Sequence, residues 1–279
     1  MQADPSHAAE SGSPVVYHTP SLTLSLDGGT YELLLHAPPC NEIGTTMLDS
    51  LEGALDRVDS SVGHSLIIRS GLDAGFCAGA NLRELYAAIA GGKDDSHHQR
   101  LAAWLDRIHA VMDRIDMLPL TTVGVVHRVC FGGGFELALT CDILIAEKNA
   151  RFAFPELRLG IIPGFGGIPR LRRDVGNAVV RDLLITGRTF NAKKAQEVGL
   201  VSQVVPEGEG VRAAKALTAQ QAKYDPDARV ACKAFMKPLP TEELAAEKAI
   251  FLRLFQNDAV TEGLRRFVES TDVRPYLPS

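Results

Sequence analysis

The sequence lacks the features that mark several large classes of protein. No apolar run approaches the roughly 20 residues a membrane-spanning helix needs, so no membrane insertion is expected. The formal net charge is -5, which leaves no excess of basic residues to bind nucleic acid. Cys40, Cys77, Cys130, Cys141 and Cys232 form no CxxC pair, so neither a zinc nor a redox site is supported. The dinucleotide fingerprint GxGxxG, the P-loop and the nucleophile elbow GxSxG are all missing. The opening residues, MQADPSHAAESGSP, have neither the basic nor the apolar region of a signal peptide. Residues 1–14 read as a disordered tail. An odd number of cysteines without an export signal suggests reduced thiols and a cytoplasmic location. Cys77 and Cys130 read as small buried packing groups.

What is present is an ordinary globular composition. Of 279 residues, 46% are hydrophobic and 23% charged, enough for one large domain or two modest ones. VVYH, LTLSL and TYELLLH alternate like strands, and SLIIRS, TTVGVV and DILIAE read as buried strands. Helix spacing runs through 45–62, through LRELYAAIA and through 99–117; HRVC (127–130) reads as a connector, and GGKDDSHH as a solvated polar break. Asn191 and Gly199 bracket a short helix as N-cap and stop. LVSQVV (200–205) reads as the last strand. Strands alternating with helices predict an α/β fold with a parallel sheet over 15–205. Three helical stretches follow, over 210–223, 227–236 and 241–270. This C-terminal segment, 206–279, is expected to pack on the core or on a neighbouring subunit.

Two glycine loops, FCAGAN (76–81) and GGGFE (132–136), each follow a strand and precede a helix. If their strands are neighbours, the N–H groups of Ala80 and Gly133 can converge on one oxygen, a donor pair for a developing enolate. The plainer reading is two tight strand-to-helix turns. Glu136 lies in an apolar stretch, FELAL, where an unpaired carboxylate is costly to bury; it could instead sit on a solvent face. Glu156 follows Pro155 and by itself could be an exposed charge at a helix start. His127 ends a strand and reads as a hydrogen-bonded structural histidine rather than a base. Donors for an oxyanion together with two carboxylates are the parts needed for proton transfer beside a carbonyl.

PPCN (38–41), GFCAGANLRE (75–84), CFGGGFELALTCDILIAE (130–147), ARFAFPELRLGIIPGFGGIPRL (150–171) and GRTFNAKKAQEVGLVSQVV (187–205) stand in order along the chain. Together they resemble the crotonase (enoyl-CoA hydratase/isomerase) superfamily over nearly the whole length. The resemblance implies a ββα-spiral core with a C-terminal helical segment that assembles trimers or dimers of trimers. It implies an acyl-CoA or carrier-bound (phosphopantetheine) thioester as substrate and no further cofactor or metal. Ala80 and Gly133 match the oxyanion hole, and Glu136 and Glu156 the two glutamates that hydratases use on water and on the α-carbon. Arg83, with Ala78, falls on the coenzyme A side. Retention of both glutamates favours hydration or dehydration over isomerisation, decarboxylation or hydrolysis, and over a non-catalytic acyl-CoA binder. The chain departs from the family pattern at Asn81, usually Asp, at Arg128, usually Gly, and at Ile168 and Pro169, usually a polar pair. FVESTD (267–272) lacks the family's usual basic residue.

Overall fold

Strands form where the chain carries short unbroken apolar runs, and helices where apolar residues recur every three or four positions. The computed structural model describes residues 13–90 and 95–270. The expected tail therefore falls almost wholly outside the described residues. β1 (Val15–His18), β2 (Leu22–Asp27) and β3 (Thr30–Leu35) form an antiparallel meander. β3 then pairs in parallel with β4 (Ser65–Ser70), β4 with β6 (Thr121–Val126), β6 with β8 (Ile143–Glu147), and β8 with β11 (Gln203–Val205).

A second, smaller sheet is made of fragments. β5 (Gly75–Cys77), β7 (Val129–Phe131) and β9 (Arg151–Ala153) pair in parallel, and β10 (Phe190–Asn191) closes it antiparallel to β9. HRVC, read as a connector, thus contributes to a strand. A three-residue strand is too short for a period-2 pattern, so only its partners reveal it. Each turn of the spiral gives one strand to the large sheet, one to the small sheet, and then a helix. β4 and β5 lead to α2 (Leu82–Ala90), and β6 and β7 to α4 (Gly133–Ala138). β8 and β9 lead to a 3-10 turn, Glu156–Leu159. The spiral expected from the resemblance is present.

The large sheet is covered on both faces, as a parallel sheet must be. Leu66, Ile68, Val126, Leu144 and Ala146 face the main core, which holds α1 (Thr45–Leu55) and α3 (Asp95–Met117). Ile67, Val123, Val125 and Ile145 face the other way, where Ala214 of α8 (Gly210–Gln221) covers them. α3 starts four residues before the predicted 99. His97 and His98 are therefore helical and half-buried rather than solvated in a loop, and His98 shares a hydrogen bond with Gln256 (2.6 Å).

The predicted last helix is two. α10 (Thr241–Leu254) and α11 (Asp258–Glu269) break at Gln256-Asn257, where Asn257 is extended. Asn favours a helix start over a helix interior, and the bend lets Phe251, Phe255, Val260 and Leu264 all enter the core. α10 lies against α3 and α5 (Gly167–Val175), and α11 against α2 and the 3-10 turn. By contrast, no residue of α9 (Pro226–Met236) is buried. Among the described residues, no helix is long and apolar enough to cross a membrane.

Candidate active site

Parallel pairing of β5 with β7 brings the two glycine loops together. The first is laced to the segment before α1. Ala78 N donates to Cys40 O (2.9 Å), Ile43 N to Gly79 O (2.7 Å) and Asn81 N to Ile43 O (3.0 Å). Asn41, fully buried, donates from its amide to Phe76 O and Ser70 Oγ, both at 2.8 Å. In the second loop Gly132 has φ 49°, ψ −128°, a conformation that side chains rarely permit. A methyl group there would also lie 2.6 Å from Glu156 Oε1. One at Gly133 would lie 2.6 Å from the Phe165 ring and 3.3 Å from Ala80 N. The Ala80 and Gly133 N–H groups are therefore close neighbours. Among the described residues neither donates to a protein acceptor.

Both glutamates are buried beside these donors. Glu136, on α4, is 2% exposed, which excludes the solvent-face reading. Its Oε1 accepts hydrogen bonds from Phe165 N and Gly167 N, each 2.8 Å. Burial pushes its carboxyl up to about 7, against the pull of those two N–H groups and of the Arg170 charge. Glu156, at the start of the 3-10 turn, is 8% exposed, and its Oε2 has no hydrogen-bond partner. Burial first, and then the charges of Glu136 and Glu247, hold its carboxyl well above the usual range. Two carboxyls crowded into one desolvated place cannot both ionise freely, so Glu156 is the one that keeps its proton.

The two carboxyls and the two loops line one cavity of about 40 Å³. Ala78, Leu82, Leu85, Leu159, Ile161 and Phe251 supply most of the remaining wall. Phe165 closes it over Gly133, its ring braced edge-on by Trp104 at a centroid distance of 5.5 Å. The site thus combines exposed-edge donors, an apolar wall and two carboxyls of unequal proton affinity.

The remaining sequence candidates are placed as follows. Arg83 is 61% exposed on α2, lies 3.9 Å from Glu42 and stands over the Phe267 ring of α11. Asn81 Oδ1 accepts from Glu84 N (3.2 Å) and so caps α2, as Asp would, but its amide also donates to Glu84 Oε1 (2.9 Å), which Asp could not do. Arg128 has φ 46°, where glycine is usual, and donates to Asp73 O at 2.7 Å. Ile168 donates its backbone N–H to Glu247, and its side chain packs, partly buried, against the main core. Pro169 lies in the first turn of α5, where a missing N–H costs nothing. His127 hydrogen-bonds Leu72 O (2.9 Å), the structural role expected of it. Cys40, Cys77, Cys130 and Cys141 are buried free thiols. FVESTD continues beyond the described residues at 271 and 272.

Sequence reasoning missed the support behind Glu136. Arg170 is fully buried, donates to Asp116 (2.7 Å) and Asp113 (2.5 Å) of α3, and also reaches Phe165 O (3.1 Å). Glu247, on α10, is 4% exposed and accepts from Gly166 N (2.7 Å) and Ile168 N (2.8 Å). A signal for it existed: Leu244, Glu247 and Phe251 share one helical face, so a carboxylate stands within an apolar stripe.

Two interleaved sheets wound as a ββα spiral, with a buried carboxyl pair under two glycine loops, define the crotonase fold. The family model for enoyl-CoA hydratase/isomerase matches residues 27–274. The chain belongs to the enoyl-CoA hydratase/isomerase family. It is 34% identical over 254 residues to a Bacillus subtilis protein named "Probable enoyl-CoA hydratase", covering 89% of this chain and 96% of that one. It is 32% identical to the mitochondrial methylglutaconyl-CoA hydratase of Rattus norvegicus, over 84% of this chain and 75% of that protein. Among solved structures, an enoyl-CoA hydratase from Bacillus halodurans shares the fold with a TM-score of 0.80. Its identity is 24%, covering 88% of this chain and 98% of the other.

Proposed function

We propose that this protein is an enoyl-thioester hydratase, adding water to, or removing it from, an α,β-unsaturated acyl-CoA. The observation that carries this reading is the pair of buried carboxyls, unequal in proton affinity, beside two unpartnered N–H groups on one cavity. Adding water pushes charge onto the thioester oxygen. Ala80 N–H and Gly133 N–H receive that charge, each donor worth about 2.7–4 kcal/mol in a water-poor site. Glu136, near neutrality in proton affinity and fixed by two N–H groups, orients the water and takes its proton as oxygen bonds the β-carbon. Glu156, with an unpartnered oxygen, delivers its proton to the α-carbon as the enolate collapses. The hydratase names of the similar proteins support the same direction.

Arg83 and Ala78 are assigned to the coenzyme A end, where Arg83, largely exposed and only loosely paired with Glu42 at 3.9 Å, can meet a phosphate. A carrier-bound phosphopantetheine thioester would enter the same way. A homotrimer, alone or paired, is the assembly we propose, and the exposed Phe235 and Met236 of α9 suit burial in it. The test is loss of enoyl-thioester absorbance with crotonyl-CoA and a panel of longer and branched enoyl-CoAs. Glu136→Gln and Glu156→Gln each lower the rate by about 10²–10⁴. Full activity in both variants overturns the reading. Double-bond migration that depends on only one glutamate replaces it with an isomerase.

A further inference from the structure

The turn that holds Glu136 is itself held from the far side. Four consecutive N–H groups, from Phe165 to Ile168, alternate between two carboxylates. Phe165 and Gly167 donate to Glu136 of α4; Gly166 and Ile168 donate to Glu247 of α10. Successive peptide planes point to opposite sides, so one carboxylate on each side fixes the orientation of every plane between them. Gly166 has φ 95°, a region open mainly to glycine, so its flanking peptides resist flipping little on their own. Arg170 fixes the carbonyl edge, donating to Phe165 O (3.1 Å) and Gly166 O (3.4 Å).

We propose that Glu247 is a positioning residue of the active site, which clamps the turn Phe165–Ile168 so that the turn presents two N–H groups to Glu136. Without it, the Gly166 and Ile168 N–H groups lose their buried acceptor, and the turn rotates to find another. Glu136 then loses the donors that aim it at the cavity. Because the two N–H groups of the turn favour the charged form of Glu136, the clamp acts on proton affinity as well as geometry. Burial and the charge of Glu136 raise the carboxyl of Glu247, while its two N–H donors and Arg170 oppose the rise.

The other charged or titratable groups near the clamp are Glu156 of the 3-10 turn and Arg170 and Arg172 of α5. His109, Asp106, Asp113 and Asp116 stand on α3, and Glu243 and Lys248 on α10 itself. Several of these are engaged with one another: His109 with Gly164 O, Arg172 with Glu243, Lys248 with Asp106, and Arg170 with Asp113 and Asp116. Of the acids among the described residues, Glu247 alone accepts from the turn on the side opposite Glu136.

The experiment has two arms. In the first, Glu247→Gln keeps the shape but can accept only one of the two N–H groups. Its kcat falls about 10–100-fold, the cost of a small misplacement of a reacting group. The acid limb of its pH–rate profile moves to higher pH, because Glu136 loses N–H groups that favour its charged form. Glu243→Gln removes an exposed carboxylate one turn earlier on the same helix, which accepts from Arg172 and not from the turn, and leaves both unchanged. This arm rests on the hydratase reading.

The second arm does not rest on it. Carboxyl 13C titration of the unliganded protein, with the Glu136 signal identified by its loss in Glu136→Gln, shows that signal titrating higher in Glu247→Gln. A wild-type protein inert towards enoyl-CoA but with this Glu136 response overturns the hydratase reading and leaves the clamp standing. An unmoved Glu136 titration, or a folded Glu247→Gln with wild-type kcat and pH profile, overturns the clamp. If Glu247→Gln does not fold, Glu247→Asp replaces it. That side chain is too short for both N–H groups, so kcat falls and the acid limb again moves to higher pH. Wild-type kcat in Glu247→Asp overturns the proposal.

Discussion

Glu136 and Glu156 border one cavity, but the segments around them supply opposite surroundings. Glu136 stands in α4 and receives two N–H groups from the turn before α5, which Arg170 and Glu247 brace from behind. Glu156 stands at the start of the 3-10 turn, with one oxygen unpartnered and negative neighbours at Glu136 and Glu247. Identical side chains with nearly equal burial thus come to differ in proton affinity. Desolvation raises both; two N–H groups and the Arg170 charge restrain the rise in Glu136, while neighbouring carboxylate charges add to it in Glu156. That difference suits the proposed roles, in which one carboxyl takes a proton and the other gives one.

The most severe way to break this comparison is to remove each carboxyl in turn and follow the pH dependence. In the wild type, kcat/KM rises towards pH 7 as Glu136 deprotonates, and it falls at higher pH as Glu156 loses its proton. The residual activity of Glu136→Gln, down about 10²–10⁴, lacks the acid limb. That of Glu156→Gln, down by a similar factor, lacks the alkaline limb. Loss of the same limb in both variants would erase the distinction drawn here.

Phe165 tests the wall that keeps both carboxyls dry. Phe165→Ala costs about 3–5 kcal/mol of stability, as large-to-small changes in a packed core do, read as a lowered denaturant midpoint. In the fraction that stays folded, preference shifts from crotonyl-CoA towards longer or branched enoyl-CoAs. No change in that preference would place the acyl group elsewhere.

A third, smaller effect concerns stability alone. The Glu156 carboxyl is raised in the folded protein, so between its unfolded and folded values the native state binds more protons than the unfolded chain. Stability contributed by the protonated form is therefore lost as pH rises through that range. Glu156→Gln has no such loss, so its stability relative to wild type grows from pH 5 to pH 8 in urea melts at fixed temperatures. A gap that shrinks with rising pH would mean that Glu156 is the ionised member of the pair. The smallest effect is remote from both carboxyls. Arg128→Gly relieves a left-handed residue worth about 1–2 kcal/mol and gives up the bond to Asp73 O. The net gain is at most about 1 kcal/mol in the urea midpoint, with the pH profile unchanged.

Much of this was legible in the chain. SLIIRS, TTVGVV and DILIAE announced the parallel strands because a strand buried on both faces must be apolar throughout. The glycine loops and Glu136 were visible because glycine triplets and a glutamate within FELAL are both costly without a purpose. The small sheet was not visible, since strands such as β5 and β9 are too short to show a period. Arg170 and Glu247 were missed for a different reason. Each lies in an amphipathic helix where charged residues are common, and their burial depends on which helix packs against α5. The break at Asn257 was hidden by an apolar pattern that continues on both sides of it.

The sequence by itself determined the alternation of strand and helix, the loops that can carry unpartnered N–H groups, and the two glutamates at the centre of the site. These are local matters of backbone permission and hydrophobic period, readable a few residues at a time. Only the tertiary structure decided that Ala80 and Gly133 stand together, that Glu156 is left without a donor, and that Glu247 clamps the turn beneath Glu136. Those outcomes depend on burial and on donors from residues 29 to 81 positions away in the chain. Desolvation and hydrogen bonding act through space, so identical glutamates acquire different chemistry only once the chain has folded around them.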